Sequence, residues 1–313
     1  MRVYGPVPSR RFGLSLGVDI LPHKTCPLDC IYCQLGPTDC LSTERRDFYP
    51  IADIIADVKE ALADGPAPDV ITLAGSGEPG LYRSLGELID ELKKLSAAPV
   101  LLITNGILLT DPDCAAASLK ADILAPSLDA GDEETFIRVN RPAEGIRFDA
   151  VVDALRRVTH AHPGTVRLEI MLIRDVNDSE ESLRKINEIV HTLRCDQIDL
   201  NTPVRPPVPE RCALPSTEET LALARQIFGP RAVPIATFAR KPATLDSATR
   251  LRDADRSVRE TLGRRPSTVA DLCASHGLSR QEATDILERL MKEGLAFADP
   301  QGDQVFYRAP LPR

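Results

Sequence analysis

From about residue 12 to residue 240, short apolar runs alternate with longer stretches whose apolar residues recur at helical spacing. LSLGVDI (14–20), DVITLAG (69–75), PVLLITNG (99–106), ADILAPSLD (121–129), TVRLEIMLI (165–173), QIDLNTP (197–203) and VPIATFA (233–239) read as strands. The segments 51–64, 83–96, 111–119, 147–161, 179–193 and 217–227 read as helices. The strands look continuously apolar, as they do when both faces of a parallel sheet are covered. About six strand–helix alternations in this length imply an α/β fold with a parallel sheet, an open or partial barrel rather than a closed eightfold one. Polar and glycine residues gather after each strand: GSGEP, TNG, SLD, RDVND and NTPVRPP. The carboxyl ends of the strands are where such folds carry a site.

The pattern changes near residues 240–255, where RKPATLDSATRLRDADR is polar and reads as a connection. Beyond it, helices are expected at 256–263, 267–275 and 279–293, followed by two strands around the Pro-Gln-Gly turn of LAFADPQGDQVFYRA. Helix-turn-helix plus wing is the simplest assembly of these pieces. The expected domains are therefore residues 1–245 and 246–313.

Composition narrows the classes. The 313 residues are 43% apolar and 27% charged, ordinary for a globular protein of about two domains. No run approaches the roughly 18–20 apolar residues of a membrane span, and MRVYGPVPSRRFG has no apolar signal core. A cytoplasmic location and no membrane partner are the expectations. The net charge of −8 disfavours broad attraction to nucleic-acid phosphates. Aromatics are 4% and Trp is absent, so no stacking platform for single strands is expected. Residues from Arg250 to Arg313 balance at +1, with 11 Lys/Arg against 10 Asp/Glu. The third helix there carries Glu282, Asp285, Glu288 and Glu293, which would meet phosphates badly. Docking of a protein or peptide, or dimerisation, is favoured for this unit, with DNA or RNA as the weaker option.

Eight cysteines in such a chain point away from a disulfide framework. Three of them, Cys26, Cys30 and Cys33, sit together in KTCPLDCIYCQLG; Cys40, Cys114, Cys195, Cys212 and Cys273 are scattered. Thiolates suit zinc and iron–sulfur clusters. With Cys40 as a fourth ligand the loop would make a structural zinc site. Alone, three thiolates can hold three irons of a 4Fe–4S cluster and leave the fourth open to a small molecule.

CxxxCxxC with Tyr32 before the last cysteine resembles the signature of the radical S-adenosylmethionine (SAM) superfamily. GPVPSRRFGLSLGVDI and RVNRP (138–142) resemble, within it, the tRNA-wyosine-synthase-related Fe–S oxidoreductases; the likeness covers about residues 3–242. The resemblance implies a partial (β/α)6 TIM-like barrel ahead of the winged helix-turn-helix domain. It implies a 4Fe–4S cluster on Cys26, Cys30 and Cys33, with SAM as the second cofactor. It also implies reductive cleavage of SAM to a 5′-deoxyadenosyl radical that abstracts hydrogen from a substrate. An electron donor such as flavodoxin or ferredoxin is the implied partner.

By the same likeness Gly75, Gly77 and Glu78 of GSGEP match the segment that meets the SAM amino group, with the glycines admitting close approach. Glu78 has a solvated turn carboxylate as its bland alternative. Asn105, Ser127, Asp129 and Arg174 stand where other SAM contacts fall. Asn105 equally suits a turn, and Asp129 equally suits a cap for a helix near residue 132. Tyr32 would pack near adenine, or simply in the core. Glu169 lies within a strand and needs a buried partner. Asn177 follows it, and Arg10, Arg11, Arg138, Arg141 and Arg205 are candidates for an anionic substrate. The substrate stays open among a tRNA base, a peptide and a small metabolite, and no catalytic residue is singled out. Wyosine synthase carries a second cluster on upstream cysteines, and residues 1–25 have none. The rival class is an iron–sulfur transcription regulator that binds DNA without cleaving SAM.

Overall fold

The apolar runs pair into one eight-stranded sheet in the computed structural model, which describes residues 2–9, 11–64, 66–203, 213–235, 254–264, 266–301 and 304–310. The chain opens with β1 (Val3–Ser9) and β2 (Gly13–Val18), an antiparallel hairpin. A loop follows, held by the two-residue strands β3 (Thr25–Cys26) and β4 (Cys40–Leu41). Then come α1 (Ile51–Asp64), β5 (Val70–Leu73), α2 (Leu85–Leu95), β6 (Val100–Thr104), α3 (Pro112–Ser118) and β7 (Ile123–Pro126). Next are α4 (Glu133–Asn140), α5 (Phe148–Ala161), β8 (Thr165–Met171), α6 (Glu180–Val190), β9 (Gln197–Asn201), α7 (Glu218–Phe228) and β10 (Ala232–Pro234).

The sheet order is β1-β2-β5-β6-β7-β8-β9-β10, and every pairing after the first hairpin is parallel. Successive parallel strands therefore lie side by side in chain order. That is single winding, without the reversal of a doubly wound sheet, and it agrees with the expected α/β architecture. The carboxyl ends of β2 and β5–β10 all point to one rim. β1 is a strand the apolar pattern does not announce, because Gly5, Pro6 and Pro8 interrupt it.

One face of the sheet packs on the helices. Leu16, Val18, Ile71, Leu73, Val100, Leu102, Leu124, Leu168, Ile170 and Ile198 join Ile54, Val58, Leu88, Leu92, Leu155 and Ile186 in the main core. The alternate residues face the other way. Val70, Leu101 and Ala125 form a separate small cluster with Phe12, from the β1–β2 turn. On β8 and β9 this second face is charged, so these two strands alternate rather than run apolar throughout. Arg167 holds Asp199 through Nε (3.1 Å) and Nη2 (2.7 Å). Arg11 pairs with Glu169 and approaches Asp199 at 3.7 Å, and Asn201 donates to Glu169 (2.9 Å). The guanidinium groups of Arg11 and Arg167 lie 5.2 Å and 4.3 Å from the Phe12 ring centre. The turn thus reaches across the sheet and neutralises two buried carboxylates, which would be costly alone.

The C-terminal residues form α8 (Ala254–Arg264), α9 (Val269–His276), α10 (Arg280–Lys292) and the antiparallel pair β11 (Phe297–Gln301) and β12 (Gln304–Arg308). They share their own core of Val258, Leu262, Leu272, Ile286, Leu287 and Leu290. Reciprocal capping boxes at Thr268/Asp271 and Ser279/Glu282 start α9 and α10, and Gly277 at φ 63° ends α9. α8 and α9 touch β1, the sheet edge. No helix among the described residues is long and apolar enough to cross a membrane. The connection expected near 240–255 lies largely outside the described residues.

Candidate active site

The loop KTCPLDCIYCQLG leaves β2 at the rim formed by the strand ends, and a polar side chain meets each of its thiols. Asn105, just past β6, points Nδ2 at Cys26 Sγ (3.5 Å). Asn140, the last residue of α4, points Nδ2 at Cys30 Sγ (3.5 Å). Lys24 directs Nζ to Cys33 Sγ (3.0 Å). Burial pushes the Cys26 thiol well above its ordinary range and lifts Cys30 to about 12. These thiols hold their protons until a metal displaces them, so loading should release protons.

No three His, Cys, Asp or Glu side chains among the described residues are gathered as ligands of one ion. Cys40, the fourth ligand that the zinc alternative needs, is exposed. Three soft donors, each beside a polar donor group, fit a 4Fe–4S cluster by their chemistry.

Around the loop, the expected residues are brought together with more protein partners than their spacing suggests. Asp129 is buried; its Oδ2 accepts from Tyr32 Oη (2.6 Å) and Asn140 Nδ2 (2.9 Å), and its Oδ1 accepts from Met171 N (2.9 Å). Burial raises the Asp129 carboxyl above its ordinary value, with these three donors pulling it back. Burial and the neighbouring carboxylate push the Tyr32 phenol well up. Asp129 does not cap α4; Asp132 does, accepting from Thr135 N (2.8 Å). Asn177 is fully buried and spends its amide on the Asp129 and Met171 carbonyls and on Ile173 N. It fixes the turn after β8, which accounts for its place there without a ligand.

Glu78 is 3% exposed, so the solvated-turn alternative fails. Its carboxylate accepts from Gly80 N (2.9 Å), Thr104 Oγ1 (2.6 Å) and Asn105 N (2.8 Å), tying the end of β5 to the end of β6. Burial raises its carboxyl despite those bonds. The glycines of GSGEP face protein. A Cβ on Gly77 would lie 2.1 Å from the Thr25 carbonyl oxygen, and one on Gly75 2.3 Å from Asp19 Cγ. They let this segment lie directly on the start of the cysteine loop, where Glu78 N bonds Thr25 O (3.1 Å).

Asn105, Ser127, Asp129 and Asn140 line one small cavity with Leu28 and Phe136. Arg174 is exposed, just beyond β8. Glu169 and Arg11 pair with each other as described above. Arg138 donates to the Val176 carbonyl, and Arg141 ends α4 at φ 45°. Arg10, Arg205 and Cys212 lie outside the described residues. Lys24 and Asp19 were not marked by the sequence reading. Lysine two positions before Cys26 was the available signal for the first, and nothing local marked the second. Asp19 accepts from Ser76 N (3.1 Å) and Oγ (2.6 Å).

The sequence profile described as the radical SAM superfamily matches residues 20–186. A UPF0026 protein of Methanocaldococcus jannaschii is 32% identical over 231 residues, 72% of each chain. A protein named GTPase Obg, from Brachyspira hyodysenteriae, is 36% identical over 293 residues, 94% of this chain but 43% of that longer one. The chain thus spans less than half of that relative. Among solved structures, a radical SAM methyltransferase from Sphaerobacter thermophilus superposes with a TM-score of 0.54 at 20% identity, over 70% of this chain and 66% of the other. TYW1 with a lysine–pyruvate adduct gives 0.51 at 17%, over 72% and 75%. These two likenesses are of fold.

Proposed function

Because the chain belongs to the radical SAM superfamily, whose members use SAM with a 4Fe–4S cluster, we propose that it is a SAM-cleaving radical enzyme with its cluster on Cys26, Cys30 and Cys33. The observation that carries this reading is the set of three thiols in one rim loop, each facing a polar donor from a different part of the chain. Cys26, Cys30 and Cys33 would hold the cluster, which when bound would supply the electron that cleaves SAM to methionine and a 5′-deoxyadenosyl radical able to take hydrogen from a substrate.

The chain's own residues supply position and exclusion of water. Gly77 and Glu78 clamp GSGEP to the start of the loop. Asp129 and Tyr32 clamp the far end of the loop to β8. Asn105, Ser127 and Asp129 border the cavity beside the thiols, and in this reading they face SAM together with Gly75 and Tyr32. Arg174, exposed after β8, is a further SAM contact in this reading. Arg11 and Phe12 close the opposite end of the sheet's charged face, so substrate enters from the rim.

Residues 1–245 are the catalytic unit in this proposal, a partial (β/α)6 barrel. Residues 246–313 are a winged helix-turn-helix module, supported by three helices, a hairpin and a separate core. Its third helix, Arg280–Lys292, carries three acidic and three basic residues and so no net positive charge, which favours a protein or peptide partner over nucleic acid. Electrons come from a flavodoxin- or ferredoxin-type donor, and the substrate is an organic molecule with an abstractable hydrogen. The regulator alternative gains no support from the relatives.

The test is product analysis under anaerobic reduction with SAM. 5′-Deoxyadenosine and methionine should accumulate, and Cys26→Ala should abolish both. Intact SAM after full cluster loading would refute the enzyme reading.

A further inference from the structure

Lys24 is a buried lysine with an unusual partner. The residue is 3% exposed. Its backbone sits at φ 52°, the left-handed region that costs a side-chain-bearing residue roughly 1 kcal/mol. The conformation is held from both sides: Lys24 N donates to Ser76 O (2.6 Å), and Cys40 N donates to Lys24 O (3.1 Å). So the chain accepts local strain to direct this side chain inward, beneath the loop.

At the end of that side chain, Nζ meets Cys33 Sγ at 3.0 Å, its hydrogen-bond partner among the described residues. A lysine that merely filled the core would be expected to reach carboxylate or carbonyl oxygens, since an ammonium carries three donors. A neutral thiol is a poor answer to a buried positive charge. Thiolates bound to a cluster supply the missing negative charge. Cys26 and Cys30 meet the neutral amides of Asn105 and Asn140, at the longer distance of 3.5 Å each. The shorter contact, from a charged donor, goes to Cys33.

We propose that Lys24 sets the reduction potential of the cluster by donating a charge-assisted hydrogen bond to the Cys33 sulfur. The inference rests on the reading that the three cysteines hold that cluster. Hydrogen bonds to ligand sulfurs and local charge are established levers on such potentials. Reduction adds one electron, supplied in the cell by a small redox protein and in vitro by dithionite. No proton moves and no bond to Lys24 breaks. A fixed ammonium favours the more negative, reduced state, so it raises the potential. Lys24 is a positioning residue in this account, because it acts through Cys33.

The experiment is an EPR-monitored potentiometric titration of reconstituted wild type, Lys24→Met, Lys24→Gln and Lys24→Arg. Iron content and the SAM-induced spectral change are measured on the same samples. Lys24→Met should make reduction at least tenfold less favourable, which for a one-electron couple is about 59 mV more negative. Lys24→Gln, which keeps a donor without charge, should fall on the same side by at least threefold, and Lys24→Arg should stay within threefold of wild type. Intact clusters whose potential is unchanged in both neutral variants would overturn the proposal. So would an unchanged potential with weakened SAM binding, which would make Lys24 a SAM contact. A wild-type protein that takes up no 4Fe–4S cluster would instead overturn the functional reading beneath it.

Discussion

The contact between Tyr32 and Asp129 fastens the cysteine loop to the segment after β7, which Asp129 ties in turn to the end of β8, and its energy can be isolated. Tyr32 Oη lies 2.6 Å from Asp129 Oδ2. Tyr32→Phe keeps the ring against Val139, Ile173 and Ala213 and removes one donor. A hydrogen bond to a charged group is worth about 1.5–3 kcal/mol. Asp129→Asn keeps volume but exchanges one acceptor oxygen for an amide. The carboxylate serves three donors on two oxygens. The new amide must therefore face at least one donor, at a cost of about 1–3 kcal/mol. Because the two changes share a bond, the double variant should cost about 1–2 kcal/mol less than the sum of the singles.

Denaturant unfolding of the metal-free protein reads this coupling directly. The pH dependence adds a second check. The folded Asp129 carboxyl titrates above its ordinary 3.8, so the folded chain holds that proton more tightly than the unfolded one. Its contribution is complete below pH 3.8 and declines as pH rises toward the folded value. The stability of wild type relative to Asp129→Asn should accordingly fall over that interval. Additivity of the two substitutions within about 0.5 kcal/mol, or a pH-independent difference, would refute the clamp.

Gly77→Ala should lower both thermal stability and iron loading, because its Cβ meets backbone oxygen rather than a flexible side chain; calorimetry and iron analysis measure the two. Asp199→Ala leaves Arg167 without its bidentate partner and should destabilise the fold by about 3–5 kcal/mol, read by urea unfolding. Single Cys→Ser changes at Cys26, Cys30 or Cys33 should abolish stoichiometric iron uptake. Cys40→Ser should leave uptake intact, since Cys40 is exposed.

The parallel strands and their helices were legible because burial on the helix side imposes apolar spacing that a single chain displays. β1 was not, since Gly5, Pro6 and Pro8 mask a strand that needs only its partner β2. Nor was the charged face of β8 and β9: Arg167, Glu169 and Asp199 alternate with apolar residues, but their neutralising partner Arg11 comes from a turn more than 150 residues earlier. The cysteine loop was legible because ligand spacing is local. Its supports were not. Asn140 reaches Cys30 across 110 positions, and the glycines of GSGEP show their use only when the chain folds back on Thr25. Glu78 illustrates the limit, for an acidic residue in a turn gives no sign that three donors will enclose it.

The most direct measurement is anaerobic reconstitution with iron and sulfide, followed by reduction and EPR with and without SAM. A 4Fe–4S signal that changes shape when SAM is added is expected, because three thiols leave one iron free to bind it. Zinc in place of iron, or a cluster indifferent to SAM, would contradict the assignment of Cys26, Cys30 and Cys33 as the core of a SAM-cleaving site.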